Sequence, residues 1–183
     1  MDKNEIAEVL FTREQIAEYV RGLANRIEKD YKDRTQELMV VCILKGSLIF
    51  TADLIREIHL PMSIEFMKVS SYGAGTSSTG LVNILLDIKR ESLSDVDILI
   101  VEDIIDSGRT LSALSSHFRG RGAASVKCCT LLDKPARREV KFEADYVGAE
   151  IPDKFVVGYG LDYNEQYRNL PFVGVLSPSV YSV

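Results

Sequence analysis

The sequence predicts an α/β fold with a mostly parallel central sheet flanked by helices. Apolar runs such as LMVVCIL (38–44) and DILIVED (97–103) are continuous rather than alternating, as in strands covered on both faces. These runs are separated by segments of helical periodicity, so the order strand, helix, strand, helix, strand recurs along the chain. In such sheets ligands bind at the carboxyl ends of the strands. The loops there carry most of the glycine, charge and hydroxyl groups that chemistry would need.

Taken in order, Thr12 and Gln15 have capping-box spacing, and Ile16, Tyr19, Val20, Leu23 and Ile27 recur at helical intervals, so 13–29 predicts an amphipathic helix. A buried strand follows at 38–44 and a helical pattern at 47–58. SIEFMKVSS (63–71) and LVNILLDI (81–88) read as strands on either side of YGAGTSSTG, which is small, polar and flexible in composition. DILIVED is a further buried strand. TLSALSSHFRGRG (110–122) reads as a helix with a glycine stop, and SVKCCTLLD (125–133) as a strand. FVVGYG (155–160) and FVGVLS (172–177) are short and β-like.

The 183 residues are one domain's worth, and 46% hydrophobic with 27% charged residues suits a globular protein. No apolar run reaches the ~18 residues of a membrane span. The N-terminal MDKNEIAEVLFTREQ is polar and acidic, unlike a signal or transit peptide. A net charge of -5 argues against a general nucleic-acid binder. Cys42, Cys128 and Cys129 lie in apolar runs and read as buried free thiols of a reducing cytoplasm. No Cys/His spacing suggests zinc.

Four loops fall at strand carboxyl ends: LKGS (44–47), 71–80, 102–110 and DKPARR (133–138). In VEDIIDSGRT (101–110), Gly108 permits a tight turn with exposed N–H groups. The helix that follows adds its positive end, and Ser107 and Thr110 add hydroxyls, which suits a terminal phosphate. Carboxylates repel phosphate, so Glu102 and Asp103 must touch another part of the ligand. They can accept from vicinal hydroxyls or approach a metal that the ligand holds. A sugar phosphate meets these demands. The alternative is a strand that ends in solvated acids and a glycine turn. LKG by itself reads as a strand-to-helix turn in which Gly46 allows close backbone approach. Arg137 and Arg138 read as a solvated basic surface. The 71–80 loop reads as a lid. Neither a P-loop nor a GxGxxG fingerprint is present.

VEDIIDSGRT resembles the signature of the type I phosphoribosyltransferases. With LKGS, SSYGAGTSSTG, LLDKPARR and FVVGYGLDYNEQYRNLP, the chain is similar from about 38 to 176 to their 6-oxopurine branch, the hypoxanthine-guanine phosphoribosyltransferases. The resemblance implies a magnesium-dependent reaction in purine salvage, in which 5-phosphoribosyl 1-pyrophosphate and hypoxanthine or guanine give IMP or GMP and pyrophosphate. Ser107, Gly108, Arg109 and Thr110 would cradle the 5-phosphate, with Ile105 beside them. Glu102 and Asp103 would meet the ribose hydroxyls and magnesium, and Asp106 would act as general base toward the purine. Leu44, Lys45 and Gly46 would grip pyrophosphate, with a Leu44–Lys45 peptide that can be cis. Lys134 would donate to the 6-oxo group. Phe155 would stack on the base and the Val156 backbone would bond it. Asp162 would help hold a second magnesium, and Arg168 would contact pyrophosphate. Ser71 and Tyr72 match the start of the lid. Lys68 stands where some relatives carry arginine.

The same resemblance implies one domain, with a core at about 35–150 and a small hood from the N-terminal segment and about 151–183. It also implies a homodimer or homotetramer in the cytoplasm, with no nucleic-acid or membrane partner. The rival is a regulatory protein of the same fold that senses the sugar donor and binds nucleic acid.

Overall fold

The computed structural model describes residues 5–71 and 82–181. In chain order the elements are β1 (Ile6–Phe11), α1 (Arg13–Tyr31), β2 (Glu37–Leu44), α2 (Leu48–Glu57), β3 (Met62–Ser71), β4 (Val82–Leu86), β5 (Val96–Ile105), α3 (Arg109–Gly120), β6 (Ser125–Asp133), a 3₁₀ turn (Pro135–Arg137), β7 (Tyr146–Glu150), β8 (Val156–Val157), β9 (Val173–Leu176) and α4 (Pro178–Tyr181). A six-stranded sheet has the order β4-β3-β2-β5-β6-β7. Every pairing in it is parallel except that of β4 with β3.

The continuous apolar runs are explained by two cores. Leu38 and Val40 of β2, with Leu99 and Val101 of β5, pack on Leu23 and Ile27 of α1 and Phe50 and Leu54 of α2. Met39, Val41, Ile98 and Ile100 point the other way, onto Leu111, Leu114 and Phe118 of α3. Neither face of these strands meets water, so neither carries polar alternation. Each fully buried Leu, Ile or Phe contributes about 1.5–3 kcal/mol. The α1 capping box forms as expected: Gln15 N–H donates to Thr12 Oγ1 and Thr12 N–H to the Gln15 side chain. Cys42, Cys128 and Cys129 are free and buried. Burial pushes the Cys128 thiol up to about 12 and Cys129 in the same direction.

The structure departs from the expectations in three places. β5 runs to Ile105, two residues past the expected end, because Ile104 and Ile105 still pair with Leu132 and Asp133 of β6. The β-like stretch 155–160 holds a strand only at Val156–Val157, since Gly158, Tyr159 and Gly160 turn to φ of 98°, 51° and 104°. β1 and β7 have no counterpart in the sequence reading. β1 buries none of its residues fully, and β7 is a short edge strand containing a glycine, so neither shows a clean apolar pattern. β1, β9 and β8 form a separate antiparallel sheet that joins the two ends of the chain. Among the described residues no helix is long and apolar enough to cross a membrane.

Candidate active site

Parallel pairing of β2, β5 and β6 brings the loops after them to one end of the sheet. After β5, Gly108 takes φ 80° and caps α3. Only glycine enters this left-handed conformation without a Cβ penalty, and the turn aims the first N–H groups of α3 at solvent-facing space. Glu102, Ile104, Ile105, Asp106, Ser107, Gly108, Thr110 and Leu111 line a cavity of about 330 Å³ there. N–H groups, two hydroxyls and the positive helix end suit an anion. The Arg109 guanidinium turns away to Glu139 (2.6 Å), so this residue offers the cradle its backbone rather than its charge.

Glu102 and Asp103 are the last acids of β5 and are partly buried. Burial pushes Glu102 well above the usual carboxylate range, and the Asp103 charge adds to it. Burial raises Asp103 too, against the hydrogen bonds it accepts. Two desolvated acids side by side favour a cation or hydroxyl donors between them. Among the described residues no group of three or more His, Cys, Asp or Glu could hold a metal ion. Glu102 and Asp103 offer carboxylate oxygens of the kind that a hard divalent ion such as magnesium takes, two of the roughly six ligands it needs.

A smaller cavity of about 160 Å³ adjoins the first and shares Ile104 and Asp106 with it; Lys134, Phe155, Val156, Leu161 and Asp162 complete its lining. Lys134 is buried and its Nζ lies 3.5 Å from Asp106 Oδ1. Its position is set by the sheet, because Lys134 N–H donates to Ile105 O (2.9 Å) where β6 leaves β5. Phe155 is 41% exposed, large for a phenylalanine. Its ring lies 5.3 Å from Tyr181 and 5.6 Å from Tyr163, centroid to centroid. The Val156 side chain is core, as its β run suggested.

Cations rim the site. The Leu44–Lys45 peptide is cis. Lys45 Nζ lies 3.0 Å from Glu165 Oε2, and Arg168 meets Asp162 Oδ1 at 2.9 Å, Glu165 Oε2 at 3.4 Å and Gly160 O at 2.8 Å. Gly46 is needed for a close approach within the protein. A Cβ there would lie 1.7 Å from Asp103 Oδ2, and one on Gly160 would lie 2.0 Å from Gly46 O. The two glycines press the loop after β2 against β5 on one side and the 158–168 segment on the other.

Arg138 corrects an expectation. It is not a solvated surface charge: it pairs with Asp133 and donates to the Asp106 carbonyl, with the Arg138 and Asp133 side chains both largely covered. It thus ties the exit of β6 to the backbone of Asp106. Arg137 is the exposed member of the pair, 3.7 Å from Asp153. Ser71 closes β3, while Tyr72 and the rest of the expected lid lie outside the described residues. Lys68 pairs in register with Leu44 and Leu86. Sequence reading missed Ile104, Leu161, Tyr181 and Glu165. Ile104 and Leu161 look like ordinary core, Tyr181 is remote in sequence, and Glu165 passes for a solvated loop acid.

A family model described as the phosphoribosyl transferase domain matches residues 8–164. The chain is 49% identical over 179 residues to a hypoxanthine-guanine phosphoribosyltransferase of Staphylococcus aureus, covering 98% of each. It is also 49% identical to a bifunctional protein TilS/HprT of Listeria monocytogenes, of whose length it spans 27%. Among solved structures, a hypoxanthine phosphoribosyltransferase from S. aureus superposes with a TM-score of 0.92 at 49% identity, over 98% of this chain and 96% of the other. A hypoxanthine phosphoribosyl transferase of Trypanosoma cruzi reaches 0.92 at 43% identity, over 99% and 96%.

Proposed function

The chain belongs to the phosphoribosyl transferase family, and on that premise we propose that it serves purine salvage. It transfers the 5-phosphoribosyl group of 5-phosphoribosyl 1-pyrophosphate to hypoxanthine or guanine, giving IMP or GMP and pyrophosphate. One observation carries this reading: an anion cradle and a base-sized slot share a wall at Asp106, with Lys134 3.5 Å away on the slot side. A 6-oxopurine carries its oxygen and N7 on the same edge. A lysine beside a carboxylate offers a donor to the oxygen and an acceptor for a proton on the nitrogen. The 6-amino group of adenine would set donor against donor.

In this reading Ser107, Gly108, Thr110 and the backbone of Arg109 hold the 5-phosphate, with Ile105 behind them. Glu102 and Asp103 take the ribose hydroxyls. Asp106 removes the purine proton, which makes the ring nitrogen a better nucleophile. Phe155 covers one face of the base and the Val156 backbone bonds its edge. Leu44, Lys45, Gly46 and Arg168 receive pyrophosphate as its bond to the sugar breaks, and the positive charge of Lys45 and Arg168 offsets the charge that develops. Magnesium, held through Glu102, Asp103 and Asp162, would neutralise the donor's oxygens. Ser71 and Tyr72 begin a segment that shields the reacting carbon from water.

The chain acts as one cytoplasmic domain, a homodimer or homotetramer, with the β1-β9-β8 sheet as the hood over the base. The test is to mix protein, magnesium and the sugar donor with hypoxanthine, guanine, xanthine, adenine or uracil in turn and assay nucleotide. Product with hypoxanthine or guanine is expected. Folded protein that binds the donor yet makes no nucleotide would point instead to a sensor of the donor.

A further inference from the structure

Tyr163 and Gln166 bridge each other through both backbone hydrogen bonds, N–H of each to O of the other. The two residues between them, Asn164 and Glu165, take φ of 50° and 62°. This is a two-residue hairpin turn of the kind that favours glycine at its second position. Asparagine suits the first position. A glutamate at the second is costly, because its Cβ crowds the backbone in the left-handed region. Strained turn residues that persist point to a role for the side chain.

The Glu165 carboxylate ends between two cations. Its Oε2 lies 3.0 Å from Lys45 Nζ and 3.4 Å from Arg168 Nη2. A further bond steadies the turn beneath it: Glu165 N–H donates to Asp162 Oδ2 at 2.9 Å. The Lys45 hydrogen bond holds the carboxyl below its usual range, so it is charged at neutral pH. Both cations come from elements that the fold brings together at the rim of the site, the loop after β2 and the 158–168 segment. Glu165 bridges the two, and Asp162 Oδ1 also holds Arg168, at 2.9 Å.

We propose that Glu165 is an internal stand-in for pyrophosphate: it bridges the Lys45–Arg168 cation pair and must be displaced when a pyrophosphate group enters. The inference rests on the reading of Lys45 and Arg168 as pyrophosphate ligands. Glu165 then serves the reaction in two ways. It lowers the repulsion between Lys45 and Arg168 when no pyrophosphate lies between them. It also competes for the cations afterwards, which speeds departure of the pyrophosphate product. The pairing is at the surface, with Lys45 and Glu165 side chains 51% and 65% exposed, so its effect on affinity is modest.

The experiment is calorimetric binding of inorganic pyrophosphate with magnesium to the wild type and to Glu165→Gln and Glu165→Gly. Glutamine removes the charge, and glycine removes the side chain while suiting the left-handed turn. Both are expected to bind pyrophosphate about three- to tenfold more tightly. Inhibition of nucleotide synthesis by added pyrophosphate should strengthen by the same factor. A merely structural Glu165 predicts the opposite sign, since a disordered Arg168 would bind less well. Wild-type binding that is unchanged or weakened in both variants overturns this inference alone. A wild type that binds no pyrophosphate overturns the reading of the site, and the inference with it.

Discussion

Asp106 and Lys134 face each other across the mouth of the smaller cavity, one half-exposed and one buried. Their exposures separate what a substitution will report. The Asp106 side chain is half-exposed, so Asp106→Asn should still fold, with some loss of stability from the charge removed beside Lys134, while kcat falls by about 10²–10⁴, the usual worth of a positioned base. Turnover within a few-fold of wild type would remove it from that role. Lys134→Ala should raise KM for hypoxanthine by about tenfold or more, as loss of a charged hydrogen bond costs about 1.5–3 kcal/mol. Binding of the sugar donor should change little, and equal losses in both would count against Lys134 as the base-reading residue. For Glu102 the sign of the pH effect follows from its raised pKa. A carboxyl raised on folding contributes stability below its ordinary value of 4.5 that is lost as pH rises through the folded pKa. Magnesium, should it bind the ionised Glu102–Asp103 pair as proposed, would oppose this loss. Thermal melts with chelator and with millimolar magnesium should therefore diverge more at about pH 8 than at about pH 5. A magnesium effect that shrinks with pH would show that the pair does not bind the ion.

At the scale of elements, the site depends on how closely three segments approach. Gly160 stands at φ 104° with no room for a Cβ, since Gly46 O would lie 2.0 Å from it. The obstacle is backbone and cannot swing aside. Gly160→Ala should push the 158–168 segment off the loop after β2 and carry Arg168 with it, with activity falling at least tenfold and stability falling by more than about 1 kcal/mol. Gly22 is the control. It sits in the interior of α1, and a methyl added there would meet nothing within 4 Å. Gly22→Ala should raise stability by about 0.5–1 kcal/mol and leave activity alone. If both alanines behave alike in denaturant titrations, the close approach at Gly160 is not what holds the segment. The same scale shows where sequence reading stops. The α1 boundary is legible because Thr12 and Gln15 state it locally. The short β8 is easily overread because nothing local marks Tyr159 as left-handed.

For the whole molecule, the sheet divides the core into two clusters that share strands but face apart. Ile27 in the α1 side and Phe118 in the α3 side are both fully buried. Ile27→Ala should cost about 2–5 kcal/mol and Phe118→Ala about 3–5 kcal/mol. With the sheet between them, the double variant should lose the sum to within about 0.5 kcal/mol. A coupling well beyond that, measured by urea unfolding, would mean that the sheet transmits packing strain from face to face. The molecule's ends meet as well: β1 and β9 pair although they lie at opposite ends of the sequence.

By itself the sequence determined whatever is encoded by neighbours in the chain. It specified the doubly covered strands, the capped helix α1, and the glycine turn at Ser107–Thr110, because periodicity, capping and glycine turns act over a few residues. Strand ends pointed to the loops at 102–110 and 133–138 that line the cavities, while Phe155, Val156 and Asp162 were named by the family resemblance. Only the tertiary structure decided what depends on contact between distant segments. That includes the place of β1 beside β9, the bond from Arg138 to the Asp106 carbonyl, the seat of Gly46 between Asp103 and Gly160, and Glu165 between Lys45 and Arg168. The physical reason is that hydrogen bonds and ion pairs take their partners from whatever the fold brings within a few ångströms. In this chain Lys45 lies 120 residues from Glu165, and Arg138 lies 32 from Asp106.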